Sequence, residues 1–314
     1  MKREEIVFQV EGTPYEISGV WEVPEGYYGK AVVLVSGSGP VDRDGNIPKW
    51  KNNLYLSFAE ALHDLGIATF RYDKPGTGKS KGDYYEAGLS DYIAVGVEAL
   101  RKIKDRPEVQ MVTLIGHSEG ALIGPAILAQ VPADGFVFFS GTVGRGDELL
   151  SFQLDELMNE FQQMKGIKGF LLRLINVEKK ILKQNQKVLA KMRNTTEVKI
   201  RYRGAQLNAK WYREMLTYDW KDYVYAIPEY SMAIEGGRDI QVQQGSAVAF
   251  AEMTGTKAVV IPDMNHIMRR RATPHSLLAI QKEYKKDFAE QPVHPELIQA
   301  FQQFFDEAVP PVEK

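Results

Sequence analysis

The sequence predicts an α/β fold in which helices cover both faces of a mostly parallel central sheet. Two observations carry this prediction: short apolar runs recur along the chain, and segments with helical periodicity lie between them. Runs that are apolar throughout are typical of strands buried on both faces. With 314 residues, 44% of them hydrophobic and 25% charged, the chain is long enough to bury a sizeable core.

The elements follow in order from these patterns. Alternating polar and apolar residues at 6–10 and 15–23 predict an antiparallel hairpin at one edge of the sheet. The buried strands are predicted at 31–35, 67–72, 111–115, 136–139, 231–234 and 257–261. The helical stripes between and after them are Leu54, Phe58, Leu62 and Leu65; Leu89, Ile93, Val97 and Leu100; Leu122, Ile123, Ala126 and Ile127; Val248 and Met253; and Leu297, Phe301, Phe304 and Phe305.

Residues 146–226 interrupt the alternation of strand and helix. They show helical patterns and no convincing strand, which indicates a helical cap inserted after the sixth strand. The predicted core domain is therefore 1–145 together with 227–314, and the predicted cap is 146–226. Lysine and arginine dominate 165–193, with Glu178 as the acid among them, and we interpret this stretch as a solvated helix face.

Composition excludes several classes of function. The 39 Lys and Arg are balanced by 41 Asp and Glu, so no basic field gathers nucleic acid or an anionic membrane. The absence of cysteine excludes disulfides, thiolate nucleophiles and cysteine zinc sites. Neither a signal peptide nor an apolar run near the ~18 residues of a membrane span is visible, and we expect a cytoplasmic protein.

Three motifs resemble ligand-binding loops, but each lacks a residue that its loop requires. Gly78, Lys79 and Ser80 end like a phosphate-binding loop, but Asp73 stands at its first glycine position. The turn at 37–42 resembles a dinucleotide fingerprint, except that its third glycine position is Asp42. The stretch 42–53 imitates a calcium loop without its glycine or its final acid. The histidines show no zinc spacing, so the sequence predicts neither a cofactor nor a metal.

The pattern Gly-x-Ser-x-Gly at 116–120 stands between a predicted strand and a predicted helix. A sharp strand-to-helix turn needs glycines where side chains would collide, and it exposes the central serine at the carboxyl edge of the sheet. The free N–H groups of the following helix point to where an oxyanion would develop. Ser118 is therefore the candidate nucleophile.

A serine nucleophile requires a base and an acid, in the chain order Ser, Asp or Glu, then His. Asp239 follows the strand at 231–234 and is the candidate acid, with Glu235 as the alternative. His266 follows the strand at 257–261 and is the histidine placed to act as base. The oxyanion donors are expected to be the N–H of Glu119 and an N–H of the loop 36–40, first Ser38 and then Gly37.

With these residues assembled, the chain resembles the α/β-hydrolase superfamily, and within it the bacterial intracellular serine carboxylesterases with a helical insertion after the sixth strand. The resemblance rests on the elbow, on VSGSGP with DRDG at 35–45 and on RYDKPGTGKS at 71–80. It implies Ser118 as nucleophile, Asp239 as acid and His266 as base. Ser36 departs from the histidine found in many relatives at that position.

The expected function is a serine carboxylesterase that hydrolyses small to medium acyl esters through an acyl-enzyme on Ser118. A serine peptidase, or an acyl-amino-acid or thioester hydrolase, would use the same three residues. A binding protein that has kept the fold is disfavoured because all three positions are present. The expected partner is a small-molecule ester, and a homodimer is an open alternative.

The predicted cap carries an apolar stripe of Leu154, Leu157, Met158 and Phe161. Binding pockets are mostly apolar, and methionine offers an adaptable surface, so this stripe is the candidate wall for the acyl chain. The alternative is that the stripe packs within the insertion or across a dimer.

Overall fold

The structure, a computed structural model, describes residues 1–48, 50–166, 176–271, 276–282 and 291–307. The strands are β1 (Lys2–Gln9), β2 (Glu16–Val23), β3 (Lys30–Val35), β4 (Ala68–Tyr72), β5 (Met111–His117), β6 (Gly135–Phe139), β7 (Lys199–Tyr202), β8 (Ala205–Asn208), β9 (Ser231–Gly236) and β10 (Lys257–Ile261). The α-helices are α1 (Leu54–Asp64), α2 (Leu89–Lys104), α3 (Glu119–Leu128), α4 (Gly146–Gln163), α5 (Val177–Asn194), α6 (Ala209–Met215), α7 (Ser246–Thr254) and α8 (Pro295–Glu307). Two 3₁₀ helices span Trp220–Ala226 and Leu277–Lys282.

The central sheet has eight strands in the order β1-β2-β4-β3-β5-β6-β9-β10. Its β1–β2 hairpin is antiparallel and lies at one edge, as the alternating pattern predicted. From β4 to β10 every neighbouring pair is parallel. The loops that follow these parallel strands therefore meet at one edge of the sheet. Strands β3, β4, β5, β6 and β9 are buried throughout, as predicted. The prediction of burial was wrong for β10, because it is the edge strand and Val260 is 44% exposed.

Helices cover both faces of this sheet, as predicted. Alternate residues of a strand point to opposite faces. Val33 packs in the core cluster that includes residues of α2, α3 and α7, whereas Val32 packs in the cluster with α1 and α8. Phe58 of α1 and Phe301 of α8 are fully buried and pack edge to face with their ring centroids 5.0 Å apart. Burying a side chain of this kind contributes about 1.5–3 kcal/mol.

The segment 146–226 is mainly helical but contains a short antiparallel hairpin, so the prediction of no strand there was wrong. Strands β7 and β8 pair from Lys199 opposite Asn208 to Tyr202 opposite Ala205. Arg203 and Gly204 connect them, with φ angles of 50° and 83°. Two consecutive residues with positive φ form the tight turn whose twist suits a two-residue hairpin. The lysines of α5 at 179, 180, 183, 187 and 191 are exposed, in agreement with a solvated face.

This segment packs on the core domain beside the nucleophile helix. Trp220 is fully buried, and its indole Nε1 donates to the carbonyl oxygen of Val143 at 3.0 Å. The Tyr218 hydroxyl donates to the carbonyl oxygen of Leu122 in α3 at 3.0 Å. Within the described ranges, no helix combines the length and apolar composition that a bilayer crossing requires.

The loop after β4 wraps around Asp73. Its carboxylate accepts from the backbone N–H of Arg43 at 2.7 Å, from the Arg43 guanidinium at 2.6 Å and from the backbone N–H of Lys79 at 2.9 Å. A Cβ at Gly78, whose φ is +50°, would lie 2.3 Å from the Asp73 carboxyl carbon. The glycines that imitate a phosphate loop are therefore needed to enclose this side chain.

Candidate active site

Ser118 occupies a strained turn between β5 and α3. Its φ of 56° and ψ of −116° are unusual for a residue with a side chain. Neighbouring backbone leaves no room beside it: a Cβ at Gly116 would lie 2.3 Å from the Gly120 carbonyl oxygen, and one at Gly120 would lie 2.1 Å from that of Val35. The two glycines therefore allow the close approach that holds Ser118 at the carboxyl edge.

Asp239 and His266 come together behind this edge. The Oδ2 of Asp239 lies 2.7 Å from Nδ1 of His266, and both side chains are buried. The other carboxylate oxygen of Asp239 accepts from the backbone N–H of Gln241 at 2.8 Å, which fixes its orientation. Glu235, the alternative acid, instead accepts from the N–H groups of Gly245 and Ala247, both at 2.9 Å. Its carboxylate holds the start of α7 and does not contact the histidine.

A chain of hydrogen bonds links the loop after β3 to the loop that carries His266. The N–H of Gly37 donates to the Tyr55 hydroxyl at 2.7 Å, and this hydroxyl lies 2.9 Å from Nδ1 of His117. Nε2 of His117 lies 3.0 Å from the carbonyl oxygen of His266. A carbonyl oxygen only accepts, so Nε2 carries the proton and Nδ1 accepts from Tyr55.

His117 is neutral in this arrangement. Complete burial, followed by the proximity of His266, lowers the pKa of His117 to about 3. A second proton would also remove the acceptor that the Tyr55 hydroxyl requires. His117 therefore links its neighbours as a neutral ring, and His266, which contacts Asp239, stays the candidate base.

The loop after β3 lies directly against the nucleophile. A Cβ at Gly37 would meet Cβ of Ser118 at 3.1 Å, so glycine is required for this approach. The N–H of Gly37 is already bonded to Tyr55, whereas the N–H of Ser38 donates to no residue that the structure describes. The N–H of Glu119 is at the start of α3 and has no acceptor within the helix. Ser38, which lines the same cavity as Ser118, and Glu119, which follows Ser118, thus each carry an N–H group with no acceptor among the described residues.

The side chain of Glu119 is buried and fully engaged. One carboxylate oxygen lies 2.6 Å from Nζ of Lys74, and the other accepts from Nε1 of Trp211 at 2.7 Å. Lys74 also donates to the carbonyl oxygen of Gly37 at 2.7 Å. Sequence reasoning missed Lys74, because nothing in a lysine beside a glycine-rich loop indicates that its ammonium turns inward.

Ser118, His266 and Ser38 line one cavity of about 270 Å³. Most of its wall is apolar, and none of the described residues that line it is Asp or Glu. The apolar side chains come from the loop after β3, from α1, from the position after His266 and from the 3₁₀ helix Leu277–Lys282. They are Pro40, Val41, Ile47, Trp50, Leu54, Ile267 and Ile280.

The apolar stripe of the insertion does not reach this cavity. None of Leu154, Leu157, Met158 and Phe161 lines it, and Met158 is buried. Helix α4 contacts the 3₁₀ helix Leu277–Lys282, where Glu160 accepts from the N–H of Leu278 at 3.2 Å. Sequence reasoning missed most of the residues that line this cavity because they come from irregular loops, in which no periodicity marks a buried face.

One group of potential metal ligands occurs among the described residues, namely Asp263, His294 and Glu296. Nε2 of His294 lies 3.0 Å from Asp263 Oδ1, and its Nδ1 accepts from the N–H of Glu296 at 3.2 Å. Both ring nitrogens are engaged, so this group holds the start of α8 and has no free imidazole nitrogen for a metal.

The buried, neutral His117 predicts a pH dependence of stability. An unfolded histidine binds a proton below about pH 6.5, whereas folded His117 does so only near 3. Its contribution is therefore lost as the pH falls through 6.5 toward 3. When the pH is lowered from about 7 to about 5, the loss of this contribution should lower the free energy of unfolding by about 2 kcal/mol.

Urea denaturation of the wild type and of His117→Gln at these two pH values measures this contribution. Glutamine keeps a polar group in place and cannot titrate. Between the two pH values the free energy of unfolding of His117→Gln should therefore fall by about 2 kcal/mol less than that of the wild type. Equal losses in the two proteins would show that His117 does not carry the dependence.

The chain is similar to a known family and to an esterase of known sequence. The family described as serine aminopeptidase, S33, matches residues 50–268. Esterase EstD of Thermotoga maritima is 28% identical over 275 residues, which cover 84% of this chain and 60% of EstD. The chain thus spans less than two thirds of the length of that curated relative.

Solved structures show the same fold. An esterase of Pyrococcus furiosus has a TM-score of 0.60 and 17% identity over 97% of this chain and 91% of its own. The α/β hydrolase GrgF of Penicillium sp. sh18 has a TM-score of 0.59 and 13% identity over 98% of each chain. The family match covers well over half of the sequence, and the chain therefore belongs to the serine aminopeptidase S33 family and has the α/β-hydrolase fold.

Proposed function

We propose that this protein is a carboxylesterase that cleaves small to medium acyl esters through an acyl-enzyme on Ser118. The observation that carries the proposal is the buried Asp239–His266 pair beside a strained serine, with Ser118 and His266 lining one apolar cavity. EstD and the Pyrococcus furiosus protein are both called esterases, which supports the same reaction class.

In the proposed reaction, Oγ of Ser118 attacks the ester carbonyl carbon while Nε2 of His266 accepts the hydroxyl proton. The N–H groups of Ser38 and Glu119 bind the oxyanion that forms. His266 then gives the proton to the leaving alcohol oxygen as the carbon–oxygen bond breaks. A water molecule, deprotonated by Nε2 of His266, attacks the acyl carbon. The bond from this carbon to Oγ of Ser118 then breaks, His266 returns the proton to Oγ, and the acid leaves. Asp239 stays ionised and stabilises the imidazolium in each half.

The lining of the cavity favours an ester over a peptide with a free amino terminus. An aminopeptidase must bind the substrate ammonium, and a carboxylate is the usual partner for that charge. No described residue of the cavity wall supplies one, and Glu119 is already neutralised by Lys74. The family description keeps the aminopeptidase reaction as the second candidate.

We further propose that residues 146–226 form a cap on the core domain. Trp211 of α6 reaches the nucleophile helix, and Gln153 of α4 donates to the carbonyl oxygen of Gln241 at 3.0 Å. Gln241 itself lines the cavity, so the segment contacts the edge where the ester enters.

Matched substrates test the reaction class. The protein should hydrolyse p-nitrophenyl esters with a much higher kcat/KM than the p-nitroanilides of free amino acids. A fluorophosphonate should label the wild type on Ser118 and fail to label Ser118→Ala. Faster hydrolysis of the anilides would favour the aminopeptidase, and equal labelling of Ser118→Ala would show that another residue is the nucleophile.

Replacing the acid should abolish turnover without unfolding the protein. Asp239→Asn keeps the size of the side chain but holds His266 in the wrong tautomer, and the equivalent change in a serine protease costs about 10⁴ in kcat. Glu235→Gln is the matched control, since it alters another buried carboxylate, which lies near the end of β9 and caps α7. If Glu235→Gln lost turnover and Asp239→Asn kept it, the two roles would be reversed.

The cavity wall should set acyl-chain preference. Ile47→Ala enlarges the cavity, and because each methylene is worth about 1–3 kcal/mol of discrimination, the preferred p-nitrophenyl ester should become longer. Met158→Ala is the control: it removes a buried side chain of the insertion that does not line the cavity, and should lower stability only. If the preferred acyl-chain length shifted in Met158→Ala and not in Ile47→Ala, the wall that binds the acyl chain would lie in the insertion.

A further inference from the structure

The most unusual buried charge near the candidate site is Lys74. It follows β4, its side chain is 5% exposed, and its ammonium lies 4.4 Å from the centre of the Tyr92 ring. Its Nζ donates to the carboxylate of Glu119 at 2.6 Å and to the carbonyl oxygen of Gly37 at 2.7 Å. The ammonium therefore joins the residue after the nucleophile to the loop after β3. Removing a lysine ammonium from water is costly, so these contacts must compensate for a large desolvation penalty.

We propose that Lys74 is a positioning residue that sets the direction of the Ser38 N–H in the oxyanion hole. This inference rests on the proposed serine hydrolysis and extends it to a residue that does not touch the substrate. It follows from the geometry of a single peptide unit. The carbonyl of Gly37 and the N–H of Ser38 belong to the same planar, trans peptide, and they point in opposite directions. By holding the oxygen, Lys74 turns the N–H away from itself.

This peptide needs such a restraint. Glycine at 37 has wide conformational freedom, and Gly39 adopts a φ of +98°, so the loop on both sides of Ser38 is permissive. The peptide that joins Gly37 to Ser38 rotates through ψ of Gly37 and φ of Ser38, and glycine leaves the first of these angles little restricted. Such a rotation would exchange the directions of the carbonyl and the N–H. The preceding peptide is restrained separately, because the N–H of Gly37 donates to Tyr55. Lys74 supplies the restraint on the peptide that carries the oxyanion donor.

The partner of Lys74 belongs to the same functional unit. The backbone N–H of Glu119 is the second oxyanion donor in the proposed reaction, and its carboxylate holds the ammonium that orients the first donor. The two donors are thus connected by one buried ion pair. Because Glu119 balances the lysine charge, Lys74 acts through position, and the N–H groups meet the oxyanion directly.

Lys74→Met tests the role, since methionine fills a similar volume and cannot donate. We expect kcat for a p-nitrophenyl ester to fall about 10²-fold with little change in KM, the order of loss seen when one oxyanion donor is removed. Inhibition by a trifluoromethyl ketone, which binds as an oxyanion, should weaken by a similar factor. The rate of fluorophosphonate labelling of Ser118 should fall in parallel. Lys74→Arg can still donate to the Gly37 carbonyl and should recover part of the activity.

Two further variants separate positioning from stability. Lys74→Met leaves Glu119 charged and buried, so Lys74→Met combined with Glu119→Gln should regain stability, while kcat stays low. Lys30→Met removes another buried lysine, which begins β3 and lies far from the site. Its ammonium donates to the carbonyl oxygen of Phe305. The Lys30→Met variant should lose stability with kcat unchanged.

Recovery of kcat in the double variant, or an equal fall of kcat in Lys30→Met, would overturn the proposal, because Lys74 would then act only on stability. The proposed reaction is judged separately, by hydrolysis and Ser118 labelling in the wild type. If the wild type cleaves anilides instead of esters, the same variants are compared on anilides. A wild type that neither hydrolyses these substrates nor is labelled would overturn both proposals.

Discussion

Buried charge at the carboxyl end of β4 is the constraint on which the arrangement of the edge depends. Arg71, Asp73 and Lys74 follow one another within four positions, and all three are buried. Asp73 binds Arg43 in the loop after β3, and Lys74 binds Glu119 at the start of α3. Leaving one buried partner unpaired costs about 3–5 kcal/mol, so each pair allows its two loops essentially one relative position. The loops around Ser118 are therefore fixed by electrostatics as much as by apolar packing.

Two chains of hydrogen bonds near Ser118 meet at Gly37. The N–H of Gly37 donates to the Tyr55 hydroxyl, which is bonded to His117. His117 in turn is bonded to the backbone carbonyl of His266. The carbonyl of Gly37 reaches Lys74 and then Glu119. In the first chain donation runs from Gly37 toward His266, because a backbone N–H only donates and a carbonyl oxygen only accepts. The low pKa of His117 keeps its Nδ1 able to accept from Tyr55. In the second chain Lys74 donates to both of its partners. The position of His266 and that of the loop after β3 are thus coupled through ordinary hydrogen bonds.

Local sequence patterns predict the elements of this fold but not the contacts between them. The parallel strands and the turn at Ser118 follow from short apolar runs and from glycines, both of which are properties of a few adjacent residues. The pairing of Asp239 with His266 follows from chain order once the strands are placed. The apolar patterns did not predict the β7–β8 hairpin, because its strands are short, polar and outside the core. Val248 shows the opposite error: it fits a helical period, yet it lies on the exposed face of α7.

Glu119 shows why such a site cannot be assembled from motifs alone. In the sequence it is only a variable position of a Gly-x-Ser-x-Gly pattern, yet in the structure its three polar parts serve three different segments. One oxygen binds Lys74, the other accepts from Trp211 of the insertion, and its N–H remains free beside Ser118. A hydrogen bond to a charged group contributes about 1.5–3 kcal/mol, and separating Trp211 would leave a buried carboxylate oxygen without that donor. The insertion is thus held to the residue that follows the nucleophile, and displacement of α6 would disturb the same ion pair that orients the loop after β3.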